Sequence, residues 1–131
     1  MQFDAPAILA EIQACFAAYE AAFMANDIAA LNAFFWNDPR VTRYGIADRQ
    51  WGYDDLVAYR AATPPPDFTR VLEHPRITVF GQDMAVAQVE FVRSDTPLRG
   101  FQSQVWARLP EGWRIVAAHV SMIPFRNQPR G

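Results

Sequence analysis

At Thr69 the spacing of apolar residues changes from helical to alternating, and it does not change back. Before that point Ile8, Ile12, Phe16, Tyr19 and Phe23 recur every three or four residues. This spacing predicts one helix over 5–25 with a core-facing stripe. Asn26-Asp27 breaks it, and Asp27 suits the N-cap of a second helix whose apolar face is Ile28, Leu31 and Phe34 or Phe35. Asn37-Asp38-Pro39 marks a turn, and 41–45 reads as a short strand. Gly52-Tyr53-Asp54 opens a third helix that runs to about Ala62, where Pro64-Pro65-Pro66 stops it. After Thr69 come four alternating runs, 69–80, 84–94, 99–109 and 113–123, separated by Gly- and Pro-bearing turns. These predict an antiparallel meander, bent at His74-Pro75 because proline cannot donate to a ladder. Helices first and strands afterwards specify an α+β fold, with the helices on one face of a curved sheet. Such a layer arrangement leaves room for a cavity between helices and sheet.

The chain has 131 residues, about half of them apolar, enough for one globular domain, 1–131, with a sizeable core. A net charge of −2 supplies no basic footprint for nucleic acid and no polybasic membrane patch. All twelve basic residues are arginine, which excludes a Schiff-base lysine and a phosphate-cradling P-loop lysine. Cys15 is the only cysteine; it excludes an internal disulfide and its place in the helical stripe suits a structural thiol. No basic leader and no apolar run of membrane-spanning length is visible, so a cytoplasmic location is expected. His74 and His119 are the only histidines, and no metal or other cofactor is expected.

Several polar residues stand where apolar ones belong. Arg43 lies mid-strand between Val41 and Gly45 on a face that should be partly buried. Guanidinium is rarely buried without a carboxylate, so either an internal acid or a ligand carboxylate satisfies it. A strand period of two through 113–123 puts Trp113, His119 and Ser121 on one face. No acid in that segment supports a Ser-His-acid triad, so substrate hydrogen bonding suits His119 and Ser121 better than nucleophilic catalysis. Gln102, Gln104 and Trp106 alternate onto one face of the preceding strand, where Gln104 has the chemistry to read an amide edge. Tyr19 is in the helical stripe and by itself reads as an ordinary core tyrosine. Asp48, Asp54, Asp55 and Glu73 read as turn, cap or surface residues.

The ending, Glu111-Gly112-Trp113-Arg114-Ile115-Val116-Ala117-Ala118-His119-Val120-Ser121, resembles the last strand of the SnoaL-like members of the NTF2-like superfamily. The stretches 35–46, with Arg43-Tyr44-Gly45-Ile46, 74–83 and 99–106 resemble one branch more narrowly. These are small proteins that accompany amidases of cyanuric-acid and oxalurate catabolism. The region from His74 onward is also similar to the association domain of calcium/calmodulin-dependent kinases, which speaks to fold and self-association. The resemblance implies an NTF2-like cone, a homodimer or higher homo-oligomer, and association with an amidase. It further implies a decarboxylating amidohydrolase acting on a small carboxylated urea, in a step of the 1,3-dicarboxyurea-to-allophanate kind. Tyr19 and Arg43 would be its catalytic pair, with Gln104, His119 and Ser121 orienting the substrate. The alternatives are a non-catalytic metabolite-binding or amidase-companion protein, and a different cone enzyme such as a cyclase or isomerase. The absence of an obvious pocket acid weighs against the isomerase.

Overall fold

A computed structural model describes residues 1–125 as three helices over one six-stranded sheet. Helix α1 spans Pro6–Ala25, with the proline in its first turn. It stops because Asn26 adopts a left-handed conformation (φ 53°, ψ 41°) and turns its N–H back to the carbonyls of Ala22 and Phe23. The next residue starts a new helix: the Asp27 carboxylate accepts the Ala30 N–H at 3.1 Å, opening α2, Ile28–Phe34. Helix α3, Tyr53–Ala62, follows Gly52, whose φ of 92° suits only glycine. Of the predicted α1 stripe, Ile12, Phe16 and Tyr19 are buried, with Ile8 and Phe23 packed at the margin. α1 is 20 residues long and contains an 18-residue stretch with a mean hydropathy of 1.3, long and apolar enough by length and composition to cross a membrane. That corrects the expectation that no run approaches such a length; here its apolar stripe is packed into the core against the sheet.

The strands are β1 (Thr42–Tyr44), β2 (Arg49–Trp51), β3 (Arg70–Phe80), β4 (Met84–Arg93), β5 (Arg99–Leu109) and β6 (Gly112–Ile123). Their order in the sheet is β2-β1-β6-β5-β4-β3. The meander β3 to β6 is antiparallel as its turns require. The sheet as a whole is mixed, because β1 joins β6 in parallel and forms a hairpin with β2. Strand β2 has only three residues, too short for alternation to announce it in the sequence.

Two bulges shape the sheet. The one at His74-Pro75 lies where proline predicted it, with the β3–β4 register jumping between Glu73 and Arg76. His74 takes a φ of 53° there. The second was not legible: Val105 pairs with Ala117 but Trp106 pairs with Ile115, so Val116 is an extra residue in β6. From Val116 onward the alternation of β6 is inverted. The inner face is built from Trp106, Ile115, Val79, Ala85, Ala87 and Val89, on which Ile12, Phe16, Leu31 and Phe35 pack. Ala85 and Ala87 sit opposite Trp106 and Gln104, giving the large side chains room. Each large apolar side chain buried there contributes about 1.5–3 kcal/mol.

Candidate functional site

Helices and inner sheet face do not close completely. They leave a cavity of about 270 Å³ lined by Tyr19 and Phe23 of α1, Leu31 of α2, Tyr59 and Arg60 of α3, and Arg43 of β1. The sheet contributes Arg70, Phe91, Arg93, Gln102 and Val120, and the segment Thr63–Phe68, with its three prolines, completes the wall. Tyr19 and Arg43, far apart in the chain, therefore meet in one cavity. The Tyr19 ring is held edge-on against Phe34 (5.8 Å) and Phe35 (6.2 Å), which fixes its direction.

Four guanidinium groups line this space, and three have carboxylate partners. Arg43 Nη1 donates to Asp48 Oδ1 and to Gln50 Oε1, each at 2.9 Å, while Gln50 Nε2 donates to the same Asp48 oxygen at 2.9 Å. Its Cζ lies 5.0 Å from the Tyr59 ring centre. Arg70 is gripped by both oxygens of Glu20, at 2.6 and 2.5 Å, between the rings of Phe23 and Phe91. Arg93 pairs with Asp95 at 2.6 Å and covers the Phe68 ring. Arg60 is different. It is 6% exposed, no described carboxylate lies within ion-pair distance, and its Nε has no hydrogen-bond partner among the described residues.

Partial burial pushes the Asp48 carboxyl up, but the hydrogen bond from Gln50 and the charge and hydrogen bond of Arg43 outweigh it, leaving the group below its usual range. Asp48, which the sequence presents as a turn residue, is thus the counter-charge of Arg43. Cys15 sits partly buried, and burial and Glu11 push its thiol up, as suits a structural thiol. Among the described residues no three His, Cys, Asp or Glu side chains cluster as metal ligands.

The Val116 bulge corrects the facing assigned to the last strand. Trp113 is buried, yet His119 pairs with Ser103 and Ser121 with Phe101 on the opposite, outer face. His119 is exposed there and meets Tyr44 edge-on at 5.8 Å; neither His119 nor Ser121 lines the cavity. Val120 takes the inward position instead. Gln104 is fully buried, but its Oε1 is occupied by the indole N–H of Trp106 at 3.0 Å, and it does not line the cavity. Gln102 lines the cavity in its place: its Oε1 faces Arg70 Nη2 at 3.4 Å, and its buried Nε2 has no partner among the described residues. Sequence reasoning passed over Tyr59, Arg60 and Arg70, and placed Gln102 on the right face but gave the binding role to Gln104. For Arg60 a signal existed, since it stands four residues after Leu56, on the buried face of α3.

Three helices on the concave side of a curved mixed sheet, with a polar cavity between, define an NTF2-like fold. A solved NTF2-like superfamily protein from Salmonella enterica superimposes with a TM-score of 0.72 at 26% identity, covering 95% of this chain and 97% of that one. More specifically, the family model described as AtzH-like matches residues 1–125, and the chain belongs to the AtzH-like family. A cystatin-like fold protein from Burkholderia xenovorans is 46% identical, with a TM-score of 0.93 over 96% of this chain and 99% of that one. A protein of unknown function from Pectobacterium atrosepticum is 42% identical, with a TM-score of 0.90 over 92% and 94% of the two chains. Among curated proteins, none matches.

Proposed function

We propose that the cavity binds a small carboxylated nitrogen compound and that the protein is a decarboxylating amidohydrolase of the 1,3-dicarboxyurea-to-allophanate kind. One observation supports this reading above the others: Tyr19 and Arg43 line the same arginine-rich cavity. Arg43 keeps its charge in place through Asp48 and Gln50, so it meets a substrate carboxylate without reorganising. It would hold the carboxylate that stays in the product. The other N–carboxyl bond breaks: its electron pair returns to nitrogen, the carbon leaves as CO2, and nitrogen takes up one proton. The phenol of Tyr19 would donate to that nitrogen or to the oxygen on which charge develops. Both nitrogens remain in allophanate, so CO2 and allophanate are the products to follow. Self-association belongs to the same reading and would use the outer sheet face, where Tyr44, Trp51, Val71 and Ile123 leave apolar surface exposed.

The test compares CO2 and allophanate formation from freshly generated 1,3-dicarboxyurea by wild type, Arg43→Ala, Tyr19→Phe and a no-enzyme blank. Wild type should exceed the blank, Arg43→Ala should fall to it, and Tyr19→Phe should lose about 100-fold in kcat. Coincidence of all four rates would remove the catalytic reading and leave a metabolite-binding or amidase-companion role.

A further inference from the structure

Arg60 and Gln102 remain once the other arginines of the cavity have been assigned; Asp67, the one carboxylate among the lining residues, forms no ion pair with Arg60. Each is more than nine-tenths buried, each lines the cavity, and each keeps an unpartnered N–H among the described residues, on Nε of Arg60 and Nε2 of Gln102. Guanidinium groups do not escape burial by losing a proton. A buried guanidinium without a counter-charge carries a desolvation penalty that a carboxylate at hydrogen-bond distance offsets. The other three arginines of the cavity have theirs in Asp48, Glu20 and Asp95.

The direction of the Gln102 amide follows from its neighbour. Arg70 offers only donors, so Oε1 must face it, as it does at 3.4 Å, and Nε2 is left as a donor toward a missing acceptor. Glu20 holds Arg70 through Nε and the same Nη2, so the guanidinium keeps a donor toward Gln102 Oε1. Pro64, Pro65 and Pro66 follow the Thr63 C-cap of α3 and stiffen the wall beside Arg60.

We infer that Arg60 is the principal carboxylate anchor of the cavity and that Gln102 Nε2 donates to a neutral carbonyl of the same ligand. The substrate class is a small acid carrying a carboxylate at one end and an amide, urea or keto carbonyl beside it. This rests on the reading of the cavity as a carboxylate site but moves the main charge contact from Arg43, already satisfied by Asp48, to Arg60. Arg60 and Gln102 are binding residues, and the bond-breaking step is not assigned to them.

Calorimetric titration with oxamate, which carries both groups, and with acetate, which carries only the carboxylate, tests the assignment. Wild type should bind both. Arg60→Met should weaken both by about ten- to a hundredfold, as expected for losing charge-assisted hydrogen bonds. Gln102→Leu should weaken oxamate by about fivefold and leave acetate unchanged, as for one neutral hydrogen bond. Without ligand, Arg60→Met should melt at or above the wild-type temperature, because it removes an uncompensated charge. A lower melting temperature together with unchanged affinity for both probes would show that Arg60 serves the fold and not the ligand, and would overturn the inference. So would wild-type affinity in Arg60→Met, with binding lost only in Arg43→Met; that result would leave the carboxylate reading intact. If wild type binds neither probe, the carboxylate reading falls and takes this inference with it.

Discussion

Arg43 and Arg60 show how one residue type serves two purposes in one cavity. Arg43 is held by Asp48 and Gln50 and is a fixed positive pole; Arg60 is buried with no carboxylate partner among the described residues and its Nε unpaired. The Asp48 partner makes a pH prediction. Its carboxyl lies below the ordinary value of 3.8, so it contributes stability that is fully present above that value and lost as pH falls through the depressed one. Urea stability of wild type should therefore exceed that of Asp48→Asn by a constant amount above about pH 5, and the gap should close in stronger acid. A gap independent of pH down to full protonation would contradict the ion pair. The burial of Arg43 and its need for a partner were legible in the sequence because the residue alternates with Val41 and Gly45. The identity of that partner was not, since Asp48 reaches it across a hairpin whose second strand is three residues long.

At the scale of elements, the lesson lies in the two bulges. Proline announces the first; nothing in Ile115-Val116-Ala117 announces the second, because all three residues suit either face of a strand. One extra residue is enough to send His119 and Ser121 to the outer face and Val120 into the cavity. Strand β5 carries no such irregularity opposite β4, so the shared face of Gln102, Gln104 and Trp106 was readable, though not which glutamine reaches the cavity. A close approach between β4 and β5 gives the prediction at this scale. The Phe91 ring lies over Gly100, where an added Cβ would stand 2.1 Å from its Cζ. Phe91 is also pinned by Arg70, whose Cζ is 4.7 Å from the ring centre. Gly100→Ala should therefore destabilise the protein by about 1–3 kcal/mol, as overpacking does, seen as a lower urea midpoint with an unchanged slope. An unchanged midpoint would mean that Phe91 has room to move that this packing denies it.

For the whole molecule, the change of period at Thr69 was the decisive signal, because a helix-first, strand-last chain has few ways to bury both kinds of face. The parallel junction of β1 and β6 is the part that pattern alone does not reveal: it depends on where the chain returns, not on what it is made of. Outside, the sheet bears Trp51, 56% exposed, and Val71, 62% exposed, with Tyr44 and Ile123 on the same face. If that face joins two copies, the protein should sediment at twice the chain mass, and Tyr44→Glu with Trp51→Glu should shift it to the single-chain mass without unfolding it. Sedimentation as one chain at all concentrations would contradict the expected homodimer.

The claim on which the functional account turns is that the space between helices and sheet, and no other surface, takes a small carboxylate. A crystal structure of the protein grown with oxamate tests it most directly. The account predicts the carboxylate inside the cavity, against a guanidinium of Arg60 or Arg43, with Tyr19 in reach of the ligand. Oxamate bound only in the open groove between α1 and β3, beside Gln13 and Arg76, would contradict it.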